Sequence, residues 1–356
     1  MEFGCLEDML YGPVTPELNI AKVVATIERN KLLNLETLLK EKIIGQDAAI
    51  ESVCRAIRRS RAGLKDDAKP VGVFLFMGNT GIGKTELCKA LAEVLYGDKK
   101  RLLRLDMSEY SSRWDIVRMT GAAPGYLGHE NGGQLTNMVK ENPQSVLCID
   151  EIEKVHPDVY NIFLQIFDDG ILTSSQGETV SFKDILIIMT SNIGSDELAN
   201  GDKPIGFAKY NKVDSKSKLD SALKQTFKPE FLGRIDEVIT FNKLNVNHIF
   251  QICGIMLNEL KQRAAKVGIT VEFDKSVAVE LVRLGYSEKY GVRPLKRVIS
   301  AKIEDLLADK IISGELKSGE EIRITFNENG FESLKKKSRK KSIKTKSAQS
   351  FETDMW

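Results

Sequence analysis

The stretch Gly78-Asn79-Thr80-Gly81-Ile82-Gly83-Lys84-Thr85 limits most sharply what this chain can fold into. It fits the pattern GxxxxGK[ST]. The apolar run Val71–Met77 precedes it, and the helical spacing of Lys84–Tyr96 follows it. Glycines let the backbone curl until successive N–H groups point inward at phosphate oxygens, and the N-terminus of the following helix adds a favourable dipole. Gly78, Asn79, Thr80, Gly81, Ile82 and Gly83 would form the cradle. Lys84 would reach the β- and γ-phosphates of a nucleoside triphosphate, and the Thr85 hydroxyl would sit on Mg²⁺. A glycine-rich turn that carries a lysine by chance is the plain alternative, and the strand–loop–helix setting argues against it.

The rest of the first two-thirds repeats this texture. Short apolar runs (Leu102–Asp106, Val146–Asp150, Ile185–Thr190) alternate with helical patterns near Gly133–Asn142 and Pro157–Asp169. Such alternation predicts an α/β fold, a parallel sheet covered by helices on both faces. Apolar spacing over 20–42 predicts two amphipathic helices, and a third follows over Asp47–Arg61, ended by Gly63. Beyond about residue 241 long helices dominate (Val246–Lys266, Lys275–Leu284, Arg293–Ser313), with short strands at Ile269–Phe273 and Glu321–Phe326. This predicts a small, mainly helical C-terminal domain. The expected organisation is a helical segment over 1–42, a large domain over 43–240, the small domain over 241–332 and a basic, unfolded tail over 333–356.

Val146-Leu147-Cys148-Ile149-Asp150-Glu151 is an apolar strand that ends in two acids. In an open parallel sheet the carboxyl ends of the strands form the ligand edge. Asp150 is thereby expected to hold Mg²⁺ beside the phosphate loop, and Glu151 to polarise the attacking water. Gly125-Tyr126-Leu127-Gly128 sets an aromatic between glycines. That combination suits a mobile loop able to grip an extended chain without reading its sequence, although a turn with a packed tyrosine fits the tetrapeptide too. Gly170–Gly177 is a second, weaker loop of this kind. Within the polar stretch 195–216, the apolar Ile205-Gly206-Phe207 has the look of a docking element, with a loop folded back on its own domain as the alternative.

Composition excludes several classes. Lys and Arg number 52 against 50 Asp and Glu, and residues 335–350 hold eight of the basic ones and no acid. The body is therefore mildly acidic, unlike a nucleic-acid-binding domain with its basic face. Cys5, Cys54, Cys88, Cys148 and Cys253 stand singly, which fits a reducing compartment better than a disulfide framework or a zinc site. The apolar runs are too short to span a bilayer, and no basic-then-apolar leader opens the chain. The expectation is a soluble protein of the cytoplasm, or of the stroma or matrix of an organelle of bacterial origin.

From Ile43 to about Phe326 the chain resembles the second ATPase module of the Clp unfoldases, AAA+ proteins of the ClpA, ClpB and ClpC kind. The matching stretches are Ile43-Ile44-Gly45-Gln46-Asp47, the phosphate loop, Leu105-Asp106-Met107-Ser108-Glu109-Tyr110, Pro124-Gly125-Tyr126-Leu127-Gly128, Asp150-Glu151-Ile152-Glu153-Lys154, Met189-Thr190-Ser191-Asn192, Pro229-Glu230-Phe231, Arg234-Ile235-Asp236-Glu237 and Gly291-Val292-Arg293-Pro294-Leu295. The resemblance implies an ATP-dependent unfoldase that threads unfolded polypeptides through a hexameric ring, with no nucleic-acid or membrane partner. It implies that Ile43 and Ile44 line the adenine pocket, and that Asn192 orients the attacking water. Arg234 becomes an arginine finger for a neighbouring subunit, and Arg293 a second sensor. Tyr126 and Leu127 would grip substrate in the channel. Ile205, Gly206 and Phe207 would dock a ClpP-type peptidase; a disaggregase without a protease stays open, as does, in another class, an AAA+ nucleic-acid loader. Departures are Asn79 for the family's usual proline and Gly233 before Arg234. With one ATPase module, the resemblance leaves a stand-alone ring, a mixed ring with longer relatives and a fragment as alternatives.

Overall fold

The computed structural model of the chain describes residues 16–122, 124–126, 129–193, 212–287, 290–328 and 330–335. Leu127, Gly128, Ile205, Gly206, Phe207 and the basic stretch 336–356 lie outside them. The chain divides into two compact units. Met1–Ile249 together with Ser287–Arg293 form the first, and Phe250–Tyr286 with Pro294–Trp356 form the second.

In the first unit, helix α1 (Pro16–Lys42) is one continuous helix where the spacing predicts two. Neither Gly nor Pro falls between Ile27 and Leu32, and Asn30 alone carries only a small helix penalty. Helix α2 (Asp47–Arg61) buries Ile50, Val53, Cys54 and Ile57, one face at helical spacing. The central elements follow in order: β1 (Gly72–Met77), α3 (Lys84–Tyr96), β2 (Leu102–Asp106), α4 (Ile116–Thr120), α5 (Gln134–Glu141), β3 (Val146–Asp150), α6 (Tyr160–Asp169), the hairpin strands β4 (Ile171–Thr173) and β5 (Thr179–Ser181), β6 (Leu186–Ser191), α7 (Lys212–Thr226), α8 (Pro229–Leu232) and β7 (Glu237–Thr240).

The main sheet has the order β2-β3-β6-β1-β7, and every pairing in it is parallel. Successive side chains of a strand point to opposite faces, so each inner strand feeds two cores. Val73, Leu75 and Met77 of β1 join one buried cluster with Leu147, Ile149, Ile187 and Met189. Phe74 and Phe76 join another with Val146, Cys148, Leu186 and Ile188. This double burial is why the strands read as unbroken apolar runs rather than as alternation. In the first cluster Phe231 of α8 sits among aromatic rings, 4.9 Å from Tyr160, 5.6 Å from Phe227 and 5.7 Å from Phe167 between centroids.

The second unit is built from most of α9 (Val246–Lys266), then β8 (Thr270–Phe273), α10 (Lys275–Gly285), the bulk of α11 (Arg293–Ile299), a π-helical turn Ser300–Glu304, α12 (Asp305–Ile312), β9 (Glu321–Asn327) and β10 (Gly330–Lys335). Its sheet runs β10-β9-β8, with β8 parallel and β10 antiparallel to β9. The single helix predicted over Arg293–Ser313 thus carries a π turn in its middle. Strand β10 takes in Ser333, Leu334 and Lys335, whose composition suggests a solvated tail, because each pairs with a residue of β9. Cys54, Cys88, Cys148 and Cys253 are unpaired and buried. Among the described residues no helix is long and apolar enough to cross a membrane.

Phe231→Ala removes the ring that fixes α8 to the core. It is expected to lower unfolding stability by about 3–5 kcal/mol, read from urea denaturation of the full chain.

Candidate functional site

Because β1, β3 and β6 run parallel, their carboxyl ends meet at one edge. Met77 pairs with Ser191, and Ile149 with Met189. Strand β6 lies between β1 and β3, so the residue after it is delivered between the phosphate loop and the acidic strand end.

The loop bends through Gly78, Gly81 and Gly83, all at positive φ, and Gly83 caps α3 in the left-handed conformation. At Gly81 the requirement is doubled, because a Cβ there would stand 2.2 Å from the Tyr290 carbonyl oxygen. The Val292 N–H donates to the Gly81 carbonyl at 3.3 Å. The segment Tyr290–Arg293, part of the first unit, thus lies on the phosphate loop and brings the Arg293 backbone with it. Thr85, the second residue of α3, is half-buried beside Lys84.

Lys84 is only 8% exposed. Its ammonium donates to the carbonyls of Gly78, Asn79 (3.3 Å) and Ser191 (3.1 Å) and to Oδ1 of Asn192 (2.7 Å). Burial pulls its pKa down to about 8, opposed by the charges of Glu153, Asp150 and Glu151. Asp150 is buried as well. Its Oδ1 accepts from the Thr190 hydroxyl at 2.6 Å, and its Oδ2 accepts from Arg104 Nε at 2.8 Å and from Nη2 at 2.6 Å.

Glu151 is the one non-glycine among the described residues with positive φ, +57°. Backbone in this region costs energy for a side chain, and such outliers gather at functional sites. Its carboxylate, a third exposed, meets the Lys154 ammonium at 2.5 Å, and that hydrogen bond raises the lysine's pKa. Glu153, on the 3-10 turn Ile152–Lys154, accepts the Asn192 backbone N–H at 3.1 Å.

Ile43 is buried and Ile44 half-buried ahead of α2. Gln46 ties this segment in place. Its Nε2 donates to the Ile82 carbonyl (3.2 Å) and to the Asn242 carbonyl (2.9 Å), and its Oε1 accepts the Asn242 N–H (2.9 Å). Arg234 does not join the Lys84 cluster. Its Nε donates to Asp168 at the end of α6 (2.5 Å), and its Nη1 to the Glu230 carbonyl (2.8 Å).

Tyr126 is 74% exposed. The loop that carries it is held at both ends by the β4–β5 turn. The Ser175 N–H donates to the Thr120 carbonyl (2.9 Å), and Gln176 Nε2 to the His129 carbonyl (2.6 Å). Gly170–Gly177, read as a second loop, therefore contains strand β4 and this turn, and its first glycine caps α6 in the left-handed conformation.

The structure thus gathers Lys84, Asp150, Glu151 and Asn192 at one edge, with Gly81 and Arg293 in backbone proximity. It holds Arg234 and Tyr126 elsewhere. Arg104, Gln46, Glu153 and Lys154 are site residues to which motif reading assigns no role. Arg104 does leave a trace in the sequence, as a cation inside the apolar strand Leu102–Asp106.

Comparison with known proteins fits this geometry. Residues 69–238 match the model of the AAA domain (Cdc48 subfamily), and residues 244–324 match that of the C-terminal, D2-small domain of ClpB protein. The chain is similar to the negative regulator of genetic competence ClpC/MecB of Bacillus subtilis, 43% identical over 86% of this chain and 38% of that protein. It is 44% identical to chaperone protein ClpB of Oceanobacillus iheyensis, over 85% of this chain and 38% of that protein. With the ATP-dependent Clp protease ATP-binding subunit ClpE of Bacillus subtilis the identity is 47%, over 82% and 41%. The chain spans about two-fifths of the length of these relatives. It belongs to the Clp family of AAA+ proteins, of which it carries an AAA domain and the small domain that follows it.

Proposed function

We propose that the chain hydrolyses ATP and uses the resulting motion to unfold polypeptides. The observation that carries this reading is the convergence at one sheet edge of the phosphate loop, the acidic strand end and Asn192, with Lys84 Nζ 2.7 Å from Asn192 Oδ1. Phosphoryl transfer asks a protein mainly to position groups and to stabilise charge. Lys84 supplies a desolvated cation for the phosphates. Glu151 takes the role of base toward the attacking water, and Asn192 orients that water. Ile43 and Ile44 line the adenine pocket, and Arg293 reports the nucleotide from the segment that rests on Gly81.

Thr85 and Asp150 would hold Mg²⁺. Asp150 is buried with its carboxylate orientation set by Thr190 and Arg104, and among the described residues no cluster of three or more His, Cys, Asp or Glu forms a cage. That donor set fits a cation bound through one or two protein oxygens and the substrate's own phosphates. When bound, the ion neutralises charge on the phosphate oxygens.

Arg234 acts on a neighbour's γ-phosphate, which makes a ring of copies, a hexamer or a mixed ring with longer relatives, the active form. Its hold on Asp168 links it through α6 to the β4–β5 turn, and that turn grips the Tyr126 loop. Tyr126, with Leu127, contacts the threaded chain. Ile205, Gly206 and Phe207 dock a ClpP-type peptidase, a finer step supported by the name of the ClpE relative, whereas the ClpB relative is named a chaperone. The compartment is the cytoplasm or, as for the relative named chloroplastic ClpC of Pisum sativum, an organelle.

Glu151→Gln should retain ATP binding and lose hydrolysis by about 10²-fold or more, measured as phosphate release. Arg234→Ala should assemble normally and lose about 10³-fold or more, because the finger stabilises the transition state. Tyr126→Ala should keep ATP turnover and fail to thread casein, an unfolded substrate, read as loss of casein degradation with ClpP added. Undiminished degradation by that variant would remove the Tyr126 loop from the mechanism.

A further inference from the structure

Strand β3 delivers two glutamates to the site, and their surroundings differ. Glu151 is a third exposed and paired with Lys154. Glu153 is turned inward. Its Oε1 accepts the Asn192 N–H at 3.1 Å, while its Oε2 is shut off from solvent with no hydrogen-bond partner among the described residues. A buried carboxylate oxygen without a donor is costly, and native proteins keep such groups mainly where they serve a site. Of the carboxylates that act on Lys84, Glu153 exerts the largest pull.

The hydrogen bonds form a chain across three elements. Glu153, after β3, takes the backbone N–H of Asn192, after β6; the side chain of Asn192 takes the ammonium of Lys84, at the start of α3. The Asn192 N–H falls just past the last paired residue of β6, Ser191, so sheet pairing does not satisfy it. Glu153 is the acceptor that replaces the ladder there. Strand ends are otherwise free to fray, and an amide that must orient a water needs its backbone fixed.

We propose that Glu153 is a positioning residue for ATP hydrolysis, fixing Asn192 by its backbone and, through Asn192, the ammonium of Lys84. The inference rests on the reading of Asn192 as the group that orients the attacking water. Glu153 acts through the sensor and leaves proton abstraction to Glu151. A shift of about 1 Å in a positioned group costs about 10²-fold in rate. Truncating Glu153 should therefore act on kcat far more than on KM.

The test measures kcat and KM for ATP in the full chain, together with the exchange rate of the Asn192 amide. Glu153→Ala should lower kcat by about 10²-fold, leave KM nearly unchanged and speed exchange of that amide. Glu153→Gln keeps a neutral oxygen for the N–H and should recover most of the rate and the protection. Glu153→Asp keeps the charge but withdraws the oxygen, so it should behave like the alanine variant; it serves in its place should alanine cost the fold. Asn192→Ala should lower kcat by itself, and combining it with Glu153→Ala should add little, as for groups that act as a unit. Parental kcat in both Glu153→Ala and Glu153→Asp, or fully additive losses in the double variant, would overturn the proposal. A parental rate in Asn192→Ala would bring down the sensor reading and this inference with it. A loss there without one at Glu153 would bring down this inference alone.

Discussion

A lysine ammonium held out of water organises this site. Lys84 follows the glycine loop directly and is buried, and a buried cation without partners is strongly unfavourable. The fold answers with carbonyls of Gly78, Asn79 and Ser191 and the amide of Asn192, all of which the parallel sheet brings within reach. Three nearby carboxylates oppose the effect of burial on its charge. Move β6 away from β1, and the ammonium loses both its side-chain acceptor and the Ser191 carbonyl.

The acids at the end of β3 are differentiated by backbone geometry. The left-handed turn at Glu151 throws its side chain toward Lys154, and the 3-10 turn that follows carries Glu153 back toward Asn192. Three carboxylates within four residues thereby come to face different partners: Arg104 and Thr190 for Asp150, Lys154 for Glu151, the β6 end for Glu153. Farther along, the last turn of α6 carries Asp168, which holds Arg234, and the chain continues through Gly170 into the hairpin whose turn grips the Tyr126 loop. Covalent continuity over so few residues gives Arg234 a short mechanical route to the Tyr126 loop.

Some features were hidden from the sequence for identifiable reasons. β4, β5 and β7 are too short for a period to register, and their pairing depends on partners supplied by the fold. The π turn at Ser300–Glu304 leaves no mark, because a single slip of hydrogen bonding needs neither Gly nor Pro. Gln46 reads as an ordinary polar residue until Ile82 and Asn242 are placed beside it.

By itself the sequence determined the chemistry available: a glycine loop that only a few backbone shapes fit, a lysine and threonine at its end, apolar runs long enough for doubly covered strands, and an acidic pair closing one of them. These are local properties, set by φ preference and side-chain period. Only the tertiary structure decided the strand order β2-β3-β6-β1-β7. That order inserts the Asn192 strand between the loop and the acids, and it arises because burying both faces of the sheet is a global condition that no local window contains. The contacts of Arg104, Glu153 and Lys154 follow from that placement, since a charge acquires its meaning from the neighbour it is set beside.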